Sequence, residues 1–253
     1  MINKNYLLLL IASSICSLGS HARADGLADL KHALNRLQAQ TPIKVQMEVK
    51  SWRKQGEGKD GEEKSGQALL QLDEGNQGMH LIYSKEMLTR LEQEAALKAK
   101  DKKNRPSTVL ALNELTTSDL RQMISAAPFI LRHLDDAIYK GEKTDNYKGK
   151  AARMLSFEFT IDKLSERERK YIKNLDSRLD IWINADGIPI ASNFHQYGTG
   201  QAFVVVNFEQ KTDEETEYVV QGDRLLMVKK ESKFISSGAG EKFESKLLKT
   251  LQI

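Results

Sequence analysis

The feature that most constrains the fold is a segment near the start of the chain in which apolar and polar side chains alternate strictly. Its apolar residues are Ile43, Val45, Met47 and Val49, and its polar residues are Lys44, Gln46, Glu48 and Lys50. A period of two predicts a β-strand with one apolar face and one solvated face. One-sided burial is typical of antiparallel sheets, whereas strands of parallel sheets are apolar on both faces. We therefore expect an antiparallel sheet with a single buried face.

Further strands are predicted along the chain, separated by turn signals such as Asp186-Gly187 and Gly222-Asp223. The last segment, 242–251, fits either a short amphipathic helix or a final strand. The remaining strand segments are 67–72, 79–83, 155–161, 179–183, 188–197, 203–208, 218–221 and 225–229. Between them we expect a hairpin loop over 55–65, a short charged helix or loop over 164–174, turns at 73–76 and 198–200, and a loop or irregular strand over 141–150. The total is about nine or ten strands.

An N-terminal helix is predicted over 25–40. Four leucines at i, i+3, i+7 and i+10 form a narrow apolar stripe, and Asp25 is a suitable N-cap. Thr41-Pro42 then stops the helix. The narrow stripe favours a helix that docks on a core over one that lies on a membrane surface. The leucines are Leu27, Leu30, Leu34 and Leu37.

A second helical region, 84–138, separates two groups of strands. Its first part has roughly helical spacing and ends in a basic run, 98–105, which fits an exposed loop, a frayed helix or a contact with anionic headgroups. Thr117-Ser118-Asp119 offers an N-cap for the next helix, and Pro128 is expected to break it and start another. This apolar stretch is interpreted either as core helices on a sheet or as a movable lid over an apolar cavity.

These elements predict an α+β fold. The expected architecture is a curved antiparallel sheet of about nine or ten strands, in the form of an incomplete barrel, in one domain over 25–253. The N-terminal helix and the helical insertion 84–138 are expected to cover its concave apolar face.

The first 24 residues predict a cleaved signal peptide. Lys4 precedes a 13-residue apolar core, 7–19, and Ala22-Arg23-Ala24 matches a cleavage site, so we expect cleavage after Ala24 and a periplasmic location. A retained anchor and a lipoprotein modified at Cys16 are the alternatives. No later segment is apolar over about 20 residues, so no transmembrane span is expected in the mature chain.

Composition excludes several other classes of protein. The formal charge of +3 does not indicate nucleic-acid binding, and processing would leave 36 basic and 35 acidic residues. Removal of Cys16 leaves no cysteine, which excludes a disulfide framework and a thiol nucleophile. A mature chain of about 230 residues is long enough to be stabilised by its own core.

The sequence lacks the familiar signatures of catalysis and metal binding. There is no Gly-x-Ser-x-Gly elbow, no His-Glu-x-x-His and no pair of histidines at ligand spacing. We therefore expect no catalytic residue, no metal site, no cofactor and no enzymatic activity, although a hydrolase with an unfamiliar site stays an alternative. The scattered histidines His32, His80, His133 and His195 are expected at the surface or at a cavity edge.

Two tryptophans fall out of phase with the apolar face of their strands. Trp52 is in the phase of the polar residues of the first strand, and Trp182 is in the phase of Asp180 and Asn184. Both are expected on the outer face of the sheet, or, for Trp52, turned inward by a bulge. They are interpreted either as cross-strand aromatic contacts or as a patch that binds a protein partner of the cell envelope.

Three segments occur in an order that identifies a related architecture: the helix Gly26-Leu-Ala-Asp-Leu-Lys-His-Ala-Leu-Asn-Arg-Leu, the strand 43–54 and the run Leu179-Asp-Ile-Trp-Ile-Asn-Ala-Asp-Gly-Ile-Pro-Ile. This order resembles that of LolA-type and LolB-like periplasmic lipoprotein carriers, over about half of the mature chain. The resemblance implies an incomplete antiparallel barrel whose open, apolar side is plugged by helices. It also implies transport of acyl chains or lipoproteins, or sensing of envelope proteins.

The leading hypothesis is a non-enzymatic periplasmic protein that binds a lipid or acyl chain between sheet and helices. An envelope interaction or regulatory protein that uses the outer face is the alternative. The residues predicted to bind the ligand are Val45, Met47, Val49, Leu81, Phe157, Phe159, Ile181 and Ile183 on the sheet, with Phe129 and Ile130 on the covering helices.

Overall fold

The computed structural model describes residues 25–38, 41–57, 61–101, 106–202 and 206–253. The protein is an α+β protein built on a large open antiparallel sheet. Ten strands are present in the described residues: β1 (Ile43–Gln55), β2 (Glu62–Gly75), β3 (Gly78–Ile82), β4 (Ile138–Tyr147), β5 (Lys150–Glu158), β6 (Ile172–Ile183), β7 (Pro189–Ala202), β8 (Val206–Gln221), β9 (Arg224–Gly238) and β10 (Glu241–Gln252).

Six α-helices accompany the sheet in the same residues. They are α1 (Gly26–Arg36), α2 (Lys85–Lys100), α3 (Ser107–Leu112), α4 (Thr117–Ile124), α5 (Ala126–Asp136) and α6 (Glu166–Tyr171), and a 3-10 turn covers Ile161–Lys163. No helix among the described residues is long and apolar enough to cross a membrane. The predicted signal segment, 1–24, lies outside the described residues, as does the second half of the basic run 98–105.

The strand order is β3-β2-β1-β10-β9-β8-β7-β6-β5-β4, and every neighbouring pair is antiparallel. The first and last strands of the chain, β1 and β10, therefore pair with each other inside the sheet. The two edges are β3 and β4, and they are joined in sequence by the segment that carries α2 to α5. This segment has to pass from one edge of the sheet to the other.

Alternation in β1 places its apolar residues on the face that the helices contact. Leu30 and Leu34 of α1 are fully buried in the same core as Met47 and Val49 of β1. Helix α3 packs on β2, α4 and α5 pack on β9, and α1 contacts α5 and β5. Asp25 caps α1 as predicted, since its carboxylate accepts hydrogen bonds from the amides of Leu27 and Ala28.

The predicted turn at 198–200 is wrong, because β7 continues through it to Ala202. Gly200 serves packing inside the sheet. A Cβ on Gly200 would lie 2.3 Å from the ring of Phe208 on the neighbouring strand, so the missing side chain leaves room for that ring. The segment 203–205 lies outside the described residues, and β8 begins at Val206.

Several other segments are more extended than predicted. The loop expected over 55–65 is shorter, because β1 extends to Gln55 and β2 begins at Glu62. The last segment, predicted as either a helix or a strand, is the strand β10. Segment 141–150 is mostly strand, with a bulge between Tyr139 and Gly141. One segment is less extended than predicted: the strand expected over 155–161 ends at Glu158.

The helical insertion differs from the prediction in three details. Helix α3 was not predicted, because six residues are too few to show a period. The N-cap of α4 is Thr116, which forms a capping box with Asp119. Pro128 lies in the first turn of α5, where a missing amide hydrogen costs nothing, and the break between α4 and α5 is at Ser125.

Candidate functional site

An internal row of side chains shows how the sheet register builds a polar site inside an apolar face. Residues paired across adjacent strands project from the same face of a sheet. The row starts and ends with apolar residues, and its middle is polar. In order across β1, β10, β9, β8, β7, β6 and β5, it reads Val49, Lys249, Lys230, Thr216, Ser192, Ile181 and Leu155.

A cavity of about 100 Å³ lies between α5 and the polar middle of this row. Most of its wall is apolar or aromatic. Helix α5 contributes Phe129, Ile130 and His133. The sheet side contributes Phe159, Leu179, Ile181, Ser192, Phe194, Glu214, Thr216, Tyr218, Met227 and Lys230.

A β-bulge brings two residues of β9 to the cavity that a regular strand would keep on opposite faces. Met227 pairs with Tyr218 and Lys230 pairs with Thr216, with a register shift between Glu217 and Tyr218. Met227 and Lys230 are three positions apart, an odd spacing that would put them on opposite faces of a regular strand, yet both line the cavity. The bulge thereby places an apolar and a cationic side chain side by side.

Charges that enter the cavity are paired there. Lys230 Nζ lies 3.0 Å from a carboxylate oxygen of Glu214 on the neighbouring strand. The hydroxyl of Ser232 donates a second hydrogen bond of 3.0 Å to the same carboxylate. Glu214 and Lys230 therefore bring no net charge to the apolar space.

The floor of the cavity carries a buried pair of hydroxyls. The hydroxyl oxygens of Ser192 and Tyr218 are 2.8 Å apart, and both residues are buried. Burial raises the pKa of Tyr218 to about 12, so the phenol is neutral at physiological pH. This pair can offer a hydrogen bond to a polar atom of a ligand, but it supplies no nucleophile.

On the helix side, Phe129 and His133 form a tilted pair of rings one turn apart. Their ring centroids are 4.0 Å apart, and His133 Nδ1 lies 3.0 Å from the carbonyl oxygen of Phe129. Phe159 and Phe194 form an edge-to-face pair on the sheet side, with centroids 6.1 Å apart. The cavity is thus walled by aromatic rings on two sides.

A second space, which we call the arginine cleft, adjoins the cavity. It has a volume of about 380 Å³ and lies between the ends of β2 and β9, helix α4 and the start of α5. Phe129 lines both spaces. The other lining residues of the cleft are Glu74, Ser118, Arg121, Gln122, Ser125, Pro128, Arg132 and Arg224.

The residues predicted to bind a ligand divide into three groups. Phe129, Ile130, Phe159 and Ile181 meet at the cavity. Leu81 lies on the edge strand β3 and is 37% exposed, away from the cavity. The others are buried in the common core without lining the cavity: Val45, Met47, Val49, Phe157 and Ile183.

Sequence reasoning did not identify the polar lining of the cavity. Glu214 and Thr216 lie in a charged stretch, 209–217, that does not look like a strand with an apolar face. A usable signal was the hairpin at Gly222-Asp223, which places Tyr218 beside the buried start of β9. A regular hairpin extended away from this turn would pair Thr216 with Lys229. The β-bulge shifts the register by one residue, so Thr216 pairs with Lys230 instead.

The two tryptophans differ in how firmly they are held. Trp182 Nε1 donates a hydrogen bond of 2.9 Å to Asp145, and its ring lies 5.5 Å from that of Tyr147. Trp52 is contacted by Lys246, whose Nζ lies 5.2 Å from the ring centroid. Trp52 and Lys246 also line a groove of about 650 Å³.

The described part of the chain holds no familiar metal-binding or hydrolytic arrangement of side chains. No cluster of three or more metal-ligating side chains occurs there. His195 Nδ1 lies 2.6 Å from Asp213, but no hydroxyl of the described residues hydrogen-bonds to this histidine. The pair therefore lacks the nucleophile that a hydrolytic triad requires.

The chain matches no protein-family model, no curated protein and no solved structure. The functional conclusion consequently rests on the cavity, the arginine cleft and the side chains that line them.

Proposed function

We propose that this protein is a non-enzymatic binding protein of the periplasm that holds a lipid or acyl chain between helix α5 and the sheet. The observation that carries the proposal is the apolar cavity walled by Phe129, Ile181 and Phe194. Seven of its thirteen lining residues have apolar side chains, and the charged pair in it is internally neutralised. Such a space favours a hydrocarbon ligand over a polar metabolite.

The driving force for binding would be burial of the chain. Each methylene removed from water contributes about 0.8 kcal/mol, so a chain of several methylenes compensates the cost of immobilising it. The Ser192–Tyr218 hydroxyl pair would then fix the position of one polar atom of the ligand.

Phe129 controls how much chain the cavity accepts. A volume of about 100 Å³ is below the roughly 300–1,000 Å³ of small-molecule sites. The cavity and the 380 Å³ arginine cleft, joined by a rotation of the shared Phe129 ring, would fall inside that range. In this proposal α5 is the movable part of the insertion 84–138.

The topology supports the half-barrel form of the fold. Edge strands β3 and β4 are unclosed, and the helical segment runs between them. Residues of β1, β2, β5 and β6 share one core with α1, α4 and α5, which a sheet curved around the helices explains most simply. The predicted signal peptide supports export.

The direct test is mass spectrometry of protein purified from the periplasm without detergent. We expect a lipid or fatty acid to copurify in stoichiometric amount. Protein extracted with solvent and refolded should gain thermal stability when an envelope lipid extract is added back. Empty protein that gains no stability from any lipid fraction contradicts the proposal.

A pair of variants tests the location of the site. Leu179→Trp puts a larger side chain into the cavity, whereas Val219→Trp adds the same group at an exposed position of the sheet. We expect the first variant to lose most of its binding to a fluorescent fatty acid and the second to retain it. Equal binding by both folded variants would place the ligand elsewhere.

A second function, docking of an envelope protein, is favoured by the groove around Trp52. The indole is only half-buried and stacks with a lysine, an arrangement that suits a partner surface. Photocrosslinking from position 52 in the periplasm should then recover a protein partner. Trp182→Phe is the control for a substitution at position 52, because the Trp182 indole already hydrogen-bonds to Asp145 within the protein. We expect this control variant to keep the partner.

A further inference from the structure

The arginine cleft carries an excess of positive charge beside the lipid cavity. Of its three arginines, Arg224 is paired with Glu74 at 2.7 Å. Arg121 and Arg132 are exposed and form no ion pair with any described residue. Since Glu74 is the sole carboxylate among the residues lining the cleft, two cationic charges stay uncompensated there.

Arg224 is a buried residue of this cleft, and its side chain is held in place by hydrogen bonds. Its residue is 1% exposed, and its guanidinium is oriented by hydrogen bonds from Nε to the carbonyl of Thr41 and from Nη1 to the carbonyl of Ile124. Nη2 makes no hydrogen bond to any described residue, although the side chain lines the cleft. A guanidinium held in this way can present its remaining donors to an oxyanion.

The start of helix α5 adds to the same potential. Ser125, the N-cap residue, lines the cleft, and its side chain does not cap the helix. The amides at a helix N-terminus and the helix dipole favour an anion there. Ser118 and Gln122 of α4 also line the cleft, where the side-chain amide of Gln122 donates a hydrogen bond of 3.1 Å to the hydroxyl of Ser118.

We propose that the ligand is an anionic amphiphile whose carboxylate or phosphate head binds Arg121, Arg132 and Arg224, while its chain passes Phe129 into the cavity. Phe129 is the wall shared by the two spaces, so its displacement connects head site and chain site. This inference rests on the proposed lipid-binding function and specifies the class of ligand.

The test compares ligands that share one chain and differ in the head. Hexadecanoate, hexadecyl phosphate and hexadecanol are titrated into delipidated full-length protein below their aggregation limits, and inorganic phosphate is titrated separately. We expect either anionic ligand to bind at least 10-fold more tightly than hexadecanol. The tighter of the two identifies the head as carboxylate or phosphate.

The variant Arg121→Gln/Arg132→Gln should remove this preference, so that the anionic ligands bind no more tightly than hexadecanol does. Both residues are exposed, so the fold should survive, and Arg167→Gln/Arg169→Gln on the exposed helix α6 is the matched loss of two charges. The control pair should retain the preference for anionic heads. Arg224→Lys keeps the charge but loses the planar, forked guanidinium. Its preference for anionic ligands over hexadecanol should fall between those of the wild type and the double variant.

Two distinct results would overturn the inference. If hexadecanol binds as tightly as the anionic ligands, or if the preference persists in Arg121→Gln/Arg132→Gln, the head site is wrong while lipid binding stands. If no 16-carbon ligand binds, lipid binding itself fails. Arginine-dependent binding of inorganic phosphate in that case would show a site for small anions, and the amphiphile would be excluded.

Discussion

Lys249 Nζ of the last strand lies 3.1 Å from Oδ1 of Asp119, and this ion pair attaches helix α4 to the inner face of the sheet. The side chain of Lys249 is almost fully buried, whereas that of Asp119 is partly exposed. Asp119 also forms the capping box of α4 with Thr116. One carboxylate therefore both starts the helix and holds it against β10.

Burial dominates the electrostatics of Lys249, and it lowers the pKa of the ammonium. For Asp119, burial alone would raise the carboxyl pKa, but hydrogen bonds from Thr116 and the charge of Lys249 together lower it. The ion pair therefore favours the charged form of Asp119, whereas burial opposes the charge on Lys249. The contribution of Asp119 to stability is present above the unfolded carboxyl pKa and is lost as the pH falls below it.

Asp119→Asn should destabilise the protein by about 2–4 kcal/mol, because it leaves the Lys249 ammonium buried without a counter-charge. Chemical denaturation at pH 7 measures the loss. Lys249→Met is the matched variant, since it removes the buried charge together with the need for a partner. We expect the methionine variant to lose less stability, and a larger loss for it would contradict this account of the pair.

Gly66→Ala should cost about 1–3 kcal/mol through overpacking. A Cβ at Gly66 would lie 2.4 Å from the backbone oxygen of Ser107 and 2.8 Å from the amide of Ala111, so helix α3 would have to move away from β2. The control is Gly75→Ala on the same strand, where the nearest atom is 3.9 Å away. Thermal melts should separate the two variants, and similar melting temperatures would argue against the close α3–β2 contact.

Ser177→Ala should leave stability unchanged or raise it slightly. Its hydroxyl is buried without a hydrogen-bond partner among the described residues, so removal of the oxygen relieves an unsatisfied group. Ser192→Ala is the contrasting variant, because it takes away one of the two hydroxyl partners of the buried Tyr218 hydroxyl, the other being Thr216, and should cost about 0.5–1.5 kcal/mol. The idea fails if both substitutions have the same effect on the free energy of unfolding.

Tyr218 should make the protein sensitive to alkaline pH. Since burial raises its pKa to about 12 in the folded state, the unfolded chain loses this proton first, above a pH of about 10. The contribution is complete below pH 10 and decreases as the pH rises towards 12. Denaturation at a series of pH values should show a shallower alkaline loss for Tyr218→Phe than for wild type, and parallel curves would show that Tyr218 is not responsible.

Strand β8 shows why part of the fold escaped prediction. Segment 209–217 is almost entirely charged or polar and has no apolar face. It is nevertheless a strand, because its neighbour β9 carries lysines in register, such as Lys233 opposite Asp213 and Lys229 opposite Glu217. Cross-strand pairs of opposite charge stabilise such a ladder, and they become visible only when the partner strand is known.

The candidate site, like the fold, was predictable only in part. Alternation identified the apolar faces, and Phe129, Ile130, Phe159 and Ile181 do meet at the cavity. Alternation also selected core residues such as Met47, because a pattern of burial does not distinguish a filled interior from an open one. The arginine cleft had no signal, since its arginines come from α4, α5 and β9.

The amino-acid sequence by itself determined the local structure: an antiparallel sheet with one buried face, the capped helix α1, and the hairpins at Asp186-Gly187 and Gly222-Asp223. These follow from side-chain period and turn chemistry, which act over a few residues. The tertiary structure decided the pairing of β1 with β10, the extended conformation of 198–200 and the site beneath α5. Each of these depends on contacts between residues distant in the chain, whose pairing no local pattern encodes.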